Sequence, residues 1–200
     1  CSLTTIHGLE EILSNLSTLD IVKWIQSDTA LYANMGNPYD TQAVVSYCGS
    51  TQYTYRSYYG KVRNYILEVF NETKWIEFPG WNEKYSPRQV LRFSRYNQKF
   101  ATLLPIVDDV FLVNIANSMN VDVEEVSAIF QLFDICNKVT DLSSDDFYGL
   151  LLSISELSLE KGAPLYEIIY RIVEQPDFIR RYEDCDKKKQ YQANGKLLVE

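Results

Sequence analysis

Residues 105–138 read PIVDDVFLVNIANSMNVDVEEVSAIFQLFDICNK, and they carry helical signals that recur on both sides of this stretch. Pro105 suits the first turn of a helix, where a proline gives up no needed hydrogen bond. The run Asp122–Glu125 places acidic groups at a helix start, where the positive end of the helix dipole favours them. The stretch therefore predicts two helices, over about 105–118 and 122–138.

Similar signals extend outward in both directions. Asp145 and Asp146 place acidic groups at another helix start, and Pro164 suits a further first turn. Gly162 is typical of a residue that closes a helix. Together with the apolar periodicity, these signals predict further helices over about 4–16, 18–35, 58–73, 87–102, 144–161, 164–175 and 177–191.

The expected fold is all-α, an irregular bundle of about eight or nine antiparallel helices in a single domain over 1–200. Connections of about two to six residues favour the antiparallel arrangement. The N-terminal helices and a tyrosine-rich segment occupy 1–75, and a C-terminal helical bundle over 86–192 shares the same core. A hydrophobic fraction of 46% is enough for a packed interior.

Residues 39–60 allow two interpretations. The segment 43–59 is compatible with a small β-hairpin, because a Gly-Ser pair in its middle suits a tight turn. Tyrosines also recur at period two in this segment: Tyr53, Tyr55 and Tyr59. The rival is a helix through 41–48, in keeping with the rest of the chain. Both interpretations stay open at this point.

The chain lacks the residue patterns of the common enzyme classes. Its one histidine, His7, is accompanied by no Gly-x-Ser-x-Gly motif and no flanked cysteine nucleophile. Gly60 and Lys61 lack the preceding glycine and the following Ser/Thr of a phosphate-binding loop. Asp108 and Asp109 would diverge by about 100° on a helix, so they form no two-carboxylate site alone, although a basic residue could pair with them. We therefore predict a non-catalytic protein with no catalytic, cofactor-binding or metal-binding residues.

The cysteines bear on redox compartment and export. Cys1, Cys48, Cys136 and Cys185 are far apart, which gives no zinc signature. A cysteine at position 1 is compatible with a lipid anchor, but the helix predicted over 4–16 leaves no polar tether and disfavours it. No apolar run approaches the roughly 20 residues of a transmembrane helix. We expect a soluble chain, with an intracellular location slightly favoured over secretion.

Charge is separated along the chain, whose net charge is −8. Residues 50–100 hold nine Lys/Arg against four Glu, whereas residues 101–160 hold eleven acidic residues and one basic residue. Ser86-Pro87 predicts a helix start, and four basic residues spaced 4, 3 and 4 apart would fall within about 60° on that helix. These residues are Arg88, Arg92, Arg95 and Lys99. The apolar side of the same helix is expected to face the core through Val90, Phe93, Tyr96, Phe100 and Leu104.

A second group of basic and aromatic residues precedes this helix: Arg56, Tyr59, Lys61 and Arg63. Such groups together can serve a nucleic-acid strand, because cations pair with phosphates and aromatic rings stack on bases. The pattern is equally compatible with a solvated face, or with pairing to acidic helices of the same chain.

The sequence thus favours a helical interaction or assembly module. Its basic face would bind an acidic protein partner, or a second copy of the chain through complementary charged faces. One alternative is a nucleic-acid-binding protein that uses the surface formed by 56–99. Another is an exported or lipid-anchored helical protein. No cofactor is expected for any of them.

Overall fold

The computed structural model describes residues 8–36, 39–45, 57–63 and 65–173. Eight α-helices lie within these residues: α1 Leu9–Asn15, α2 Thr18–Ser27, α3 Thr29–Met35, α4 Tyr65–Glu72, α5 Asp109–Met119, α6 Val123–Gln131, α7 Ser144–Ser155 and α8 Leu159–Val173. Six strands pair two by two: β1 Tyr39–Val45 with β2 Ser57–Arg63, β3 Ile76–Glu77 with β4 Lys84–Tyr85, and β5 Leu91–Arg92 with β6 Ile106–Val107.

The fold is mostly α with small sheets, which confirms its helix-rich character but not an all-α class. The antiparallel bundle and the single domain stay predictions. The helix predicted over 177–191 lies outside the described residues, as do residues 4–7 of the helix predicted over 4–16. The latter prediction is wrong at Gly8, whose backbone is left-handed with φ 73°, so that α1 begins at Leu9.

β1 and β2 form the hairpin that the sequence left open. They pair antiparallel, with Ala43 opposite Tyr59. The rival helix through 41–48 is therefore wrong over 41–45, where the backbone is a strand. The expected Gly-Ser turn lies outside the described residues, as do the first two of the three alternating tyrosines.

Helix α4 is shorter than the helix predicted over 58–73. It begins at Tyr65, because the residues before it pair with β1 and their backbone groups bond across the hairpin. The prediction is wrong over 58–63, where aromatic and β-branched residues suit a strand at least as well. From Tyr65 onward the apolar residues do form one buried helical face: Ile66, Leu67, Val69 and Phe70.

The helix predicted over 18–35 is divided into α2 and α3 at Asp28. The Asp28 Oδ1 atom accepts hydrogen bonds from the backbone N–H groups of Ala30 and Leu31, at 3.1 and 2.9 Å. This carboxylate caps the new helix and satisfies amides that a helix start leaves unpaired. The second helix, α3, ends at Met35, directly before Gly36, where the breaker was expected.

Trp75 lies at the centre of the larger of two buried clusters. Its side chain is 0% exposed, and its Nε1–H donates to the Phe70 carbonyl at 2.8 Å. Its ring centroid is 6.1 Å from Phe70, 6.1 Å from Phe130 and 5.2 Å from Phe133. These contacts join α4 to the end of α6 through aromatic rings that bury large areas.

The second buried cluster packs α7 and α8 against residues 91–100, with Leu91, Phe100, Leu150 and Ile169 among its members. Gly162 was predicted to close the preceding helix. It lies buried inside α8 instead. A Cβ there would be 3.2 Å from the Ile154 carbonyl oxygen, so the missing side chain permits this close approach of α7 and α8.

The two helices predicted over 105–118 and 122–138 exist in shortened form. Helix α5 begins only at Asp109, because Asp108 caps it: the Asp108 Oδ1 atom accepts from the Phe111 N–H at 2.8 Å. Pro105 therefore lies outside the helix, and Pro164 lies inside α8 instead of in its first turn. Helix α6 ends at Gln131, and the following residues turn toward β5.

The helix predicted over 87–102 is wrong. Only a single 3₁₀ turn, Pro87–Gln89, follows the expected start at Ser86, and a second one covers Asn97–Phe100. Between them the backbone is extended at β5.

Hydrogen bonds on both sides of β5 explain why this segment is not helical. The Leu91 N–H donates to the Pro105 carbonyl at 3.1 Å on one side. On the other side, the Arg92 N–H donates to the Cys136 carbonyl at 2.8 Å, and the Cys136 N–H donates to the Val90 carbonyl at 2.9 Å. Partners that are distant in sequence thus supply the bonds that a local helix would have made.

Candidate protein-interaction surface

The four basic residues that were expected on one helix face lie in two different environments. Arg88 and Arg92 bind groups of the same chain. Arg95 and Lys99 are exposed, and within the described part of the chain neither forms an ion pair. The prediction that these four residues share one helix face is therefore wrong, because the residues between them do not form an α-helix.

Arg88 connects three carboxylates. Its Nη2 atom lies 3.0 Å from Glu68 Oε2 and 2.9 Å from Asp134 Oδ2, and its Nη1 atom lies 3.1 Å from Glu72 Oε1. Burial by itself would lower the pKa of the guanidinium, but the hydrogen bonds and charges of Asp134 and Glu68 outweigh burial and raise it. Arg88 thus ties α4 to the residues that follow α6.

Arg92 is half-buried at the C-terminal end of α6. Its Nη2 group donates to the carbonyls of Phe130 and Phe133 at 3.1 and 3.4 Å. Phe130 lies in the last turn of α6, where carbonyls have no partner within the helix, so the guanidinium satisfies its carbonyl. Burial lowers the pKa of Arg92.

Lys84 has a comparable role at the C-terminal end of α1. Its ammonium group donates to the carbonyls of Ser14 and Leu16, at 3.0 and 2.8 Å, and lies 3.3 Å from the Glu77 carboxylate. Three of the basic residues in 50–100 are therefore occupied by contacts within the fold. Pairing with acidic residues of the same chain accounts for Arg88 and in part for Lys84, whereas Arg92 is held by backbone carbonyls.

Residues 93–99 form what we call the basic–aromatic loop. Phe93 is 51% exposed and Tyr96 is 69% exposed, although both were predicted to face the core. Arg95 and Lys99 are also exposed, and the loop contains no acidic residue. Two aromatic rings and two cations are therefore available to solvent within seven consecutive residues. The remaining core prediction is right for Val90 and Phe100, which are fully buried, while Leu104 is partly buried.

The backbone of this loop is fixed by Asn97, whose side chain is buried. Its Nδ2 group donates to the Arg92 carbonyl at 2.7 Å and to the Asn137 carbonyl at 2.9 Å. The Asn97 N–H in turn donates to the Ser94 Oγ atom at 3.0 Å. The ends of the loop are held as well, because Phe93 N–H donates to the Val107 carbonyl and Phe100 is buried. The exposed side chains thus project from a backbone that is held in place.

The other residues of the expected binding surface precede α4. Arg56 lies outside the described residues. Tyr59, Lys61 and Arg63 occupy alternate positions of β2, opposite Ala43, Thr41 and Tyr39 of β1. Alternate residues of a strand share one face, so these three share a face of the hairpin. Whether they join the basic–aromatic loop in one surface stays a prediction.

The remaining candidate chemistry has structural explanations. The buried Cys136 thiol donates to the Arg88 carbonyl at 3.1 Å, and burial, followed by nearby Asp141, Asp146 and Asp134, raises its pKa to about 12. A thiol with so high a pKa is a poor nucleophile at neutral pH. Within the residues that the structure describes, no group of three His, Cys, Asp or Glu side chains could hold a metal ion.

No helix in 8–36 or 65–173 has the length and apolar character that crossing a membrane requires.

Sequence reasoning missed the anchoring role of Asn97 and the exposure of Phe93 and Tyr96. A signal for the first was present, because Ser94 and Asn97 are three residues apart. Side chains of these two types often bond to nearby backbone and compete with a helix. Helical periodicity placed Phe93 and Tyr96 on the core-facing side of a helix. That prediction was wrong because this segment is not helical.

Replacing Asn97 by alanine should lower the free energy of unfolding by about 1–2 kcal/mol, because two carbonyls lose their donor. Amide hydrogen exchange in the loop should accelerate, most clearly at Lys99, whose N–H donates to the Tyr96 carbonyl. Urea unfolding and exchange measured by NMR would report both effects. The matched control is Gln98→Ala at an exposed neighbour, and equal behaviour of the two variants would exclude Asn97 as the anchor.

Comparison with protein-family models, with curated protein sequences and with solved structures found no match to this chain.

Proposed function

We propose that this chain is a non-catalytic interaction module that binds an acidic protein surface through the basic–aromatic loop. One observation carries the proposal. Phe93, Arg95, Tyr96 and Lys99 are exposed on a short segment whose backbone is held by the buried Asn97.

The residue types support a protein partner. Phe, Tyr and Arg are enriched in protein interfaces, where aromatic rings bury large areas at a small cost in side-chain entropy. Tyr96 is 69% exposed, so most of its surface is available for such burial. A monomeric protein gains nothing from presenting these rings to water, whereas a partner that covers them gains hydrophobic free energy.

The charge of the loop supports an acidic partner. Arg95 and Lys99 contribute two positive charges, and no acid lies between Phe93 and Lys99. Complementary potential accelerates encounter and disfavours basic partners. Because the loop backbone is already held, binding would also require little further ordering.

The proposal can be tested with a fluorescent Glu- and Leu-rich helical peptide of about 20 residues as the acidic probe, in a fluorescence anisotropy titration at low salt. Two double variants remove the two halves of the surface: Phe93→Ala with Tyr96→Ala, and Arg95→Glu with Lys99→Glu. We expect each to weaken binding at least about tenfold.

The matched control is Lys74→Glu with Lys161→Glu. It makes the same change of charge at two exposed positions outside the loop. We expect its affinity to stay within about twofold of the original protein, since rim charges remote from a contact have small effects. Absence of binding by the unmodified chain, or equal losses in the loop and control variants, would overturn the proposal.

A nucleic-acid strand is the second candidate. Its supporting observation is that the rings of Phe93 and Tyr96 are open to stacking beside two cations. The same titration with a labelled single strand of about 20 nucleotides distinguishes the two candidates. Loop-dependent binding of the strand, without binding of the peptide, would replace the protein partner by nucleic acid.

A further inference from the structure

The turn between α5 and α6 forms an open depression of about 340 Å³. The residues that line it are Ala116, Asn117, Asn120, Val121, Asp122 and Glu125. Asn120 shapes the turn: it adopts a left-handed conformation with φ 57°, and its N–H donates to the Asn117 carbonyl. We call this feature the α5–α6 depression.

The lining has the chemistry to recognise a basic side chain. Asp122 and Glu125 supply exposed carboxylates, and Glu125 Oε2 already accepts a bond from Gln26 Nε2 at 2.8 Å, which orients that carboxylate. Among the lining residues, Ala116 is buried and Val121 is partly buried. An arginine or lysine would place its aliphatic stem on such apolar groups and its charge near the acids.

The same chain carries a matching group in the basic–aromatic loop. Arg95 and Lys99 are exposed, and among residues 8–36, 39–45, 57–63 and 65–173 they make no ion pair. Asp122 and Glu125 are also exposed, and they lie at the start of α6, in a part of the chain separate from the loop. Two complementary surfaces on one chain that are not paired with each other can be paired between copies.

We infer that the α5–α6 depression of one copy binds Arg95 and Lys99 of a second copy. The inference rests on the proposed function of the loop and names its partner. The contact is heterologous, since each copy contributes a different surface, so one copy can use its loop and its depression at the same time. Association would be weakened by salt, because exposed charges carry the attraction.

Sedimentation velocity at low salt tests this with two charge-reversed proteins. The loop variant carries Arg95→Glu and Lys99→Glu, and the depression variant carries Asp122→Lys and Glu125→Lys. The unmodified chain should form species heavier than 23.2 kDa. Each variant alone should raise the dissociation constant at least about tenfold and sediment as a monomer.

Mixing the two variants gives the decisive result. The loop variant keeps its depression and the depression variant keeps its loop, so the original contact can form between them. The acidic loop of one variant and the basic depression of the other also carry opposite charges. We therefore expect the mixture to associate although neither variant does so alone. Far-UV circular dichroism shows whether both variants fold, and Asp122→Asn with Glu125→Gln gives a milder replacement for the depression variant if it does not.

Two controls keep the same charge changes away from both surfaces: Lys74→Glu with Lys161→Glu, and Glu83→Lys with Glu156→Lys, all at exposed positions. Both should associate like the unmodified chain. A chain that stays monomeric at low salt, or a mixture that stays monomeric while both variants are folded, would overturn the inference. Loop-dependent binding of the acidic peptide by a monomeric chain would leave the proposed function standing and exclude only the second copy as partner.

Discussion

Replacing Trp75 by alanine is expected to cost about 3–5 kcal/mol of the free energy of unfolding. The indole is completely buried and contacts the rings of Phe70, Phe130 and Phe133. Its removal would leave a cavity between α4 and the end of α6. A loss of this size is a large part of the stability of an ordinary domain, so the variant should be partly unfolded.

Urea unfolding followed by far-UV circular dichroism would measure the loss. Trp75→Phe should be intermediate, because it keeps a ring but leaves the Phe70 carbonyl without the Nε1–H donor. Trp81→Ala is the matched control, since Trp81 is only partly buried at the edge of the same cluster. If Trp75→Ala and Trp81→Ala lost the same stability, Trp75 would not be the centre of this core.

Replacing Arg88 by methionine is expected to cost about 2–3 kcal/mol. Methionine keeps much of the side-chain volume but leaves Glu68, Glu72 and Asp134 without their shared cation. The three carboxylates would then repel one another. The value is below that of a fully buried ion pair, because the Arg88 side chain is 30% exposed and solvent screens part of the interaction.

The salt dependence distinguishes charge from packing. In about 1 M sodium chloride the Debye length is about 3 Å, so repulsion among the three acids should be screened and the deficit of Arg88→Met should shrink. Arg95→Met is the control at an exposed arginine and should change stability by less than about 0.5 kcal/mol. A deficit that salt leaves unchanged would mean that Arg88 acts through its apolar contacts instead of its charge.

The helices that could be predicted from sequence are those whose signals are local. Acidic first turns identified α6 and α7, and the apolar spacing after Tyr65 identified α4. Their ends were less predictable. The prediction placed Asp108 inside a helix, whereas its carboxylate caps one, and the difference depends on whether the preceding residues find a strand partner.

The segment 87–102 shows why the expected binding face was wrong. Ser86-Pro87 did begin a helical turn, but β5 is held by Pro105 and Cys136, which are 14 and 45 residues from Leu91. Periodicity within a window carries no information on such partners. Once the helix is lost, the spacing of the basic residues no longer places them together.

The basic residues are concentrated in 50–100, as the sequence shows. The sequence alone could not distinguish those that bind groups of the fold from those that are exposed. Arg88 and Arg95 have the same side chain in similar sequence surroundings. One meets three carboxylates brought together by α4 and the end of α6, and the other is exposed on the basic–aromatic loop. Only the tertiary arrangement distinguishes a cation that holds the fold from one that is available to a partner.

The central claim is that Arg95 is available to a partner while Arg88 and Arg92 are committed to the fold. The most direct test is an NMR titration of the ¹⁵N-labelled chain with the acidic peptide, following the Nε–H signals of the three arginines. We predict that the Arg95 signal shifts progressively together with the backbone amides of residues 93–99, while the Arg88 and Arg92 signals stay in place. Shifts at Arg88 or Arg92 with an unmoved Arg95 would contradict this division of the basic residues.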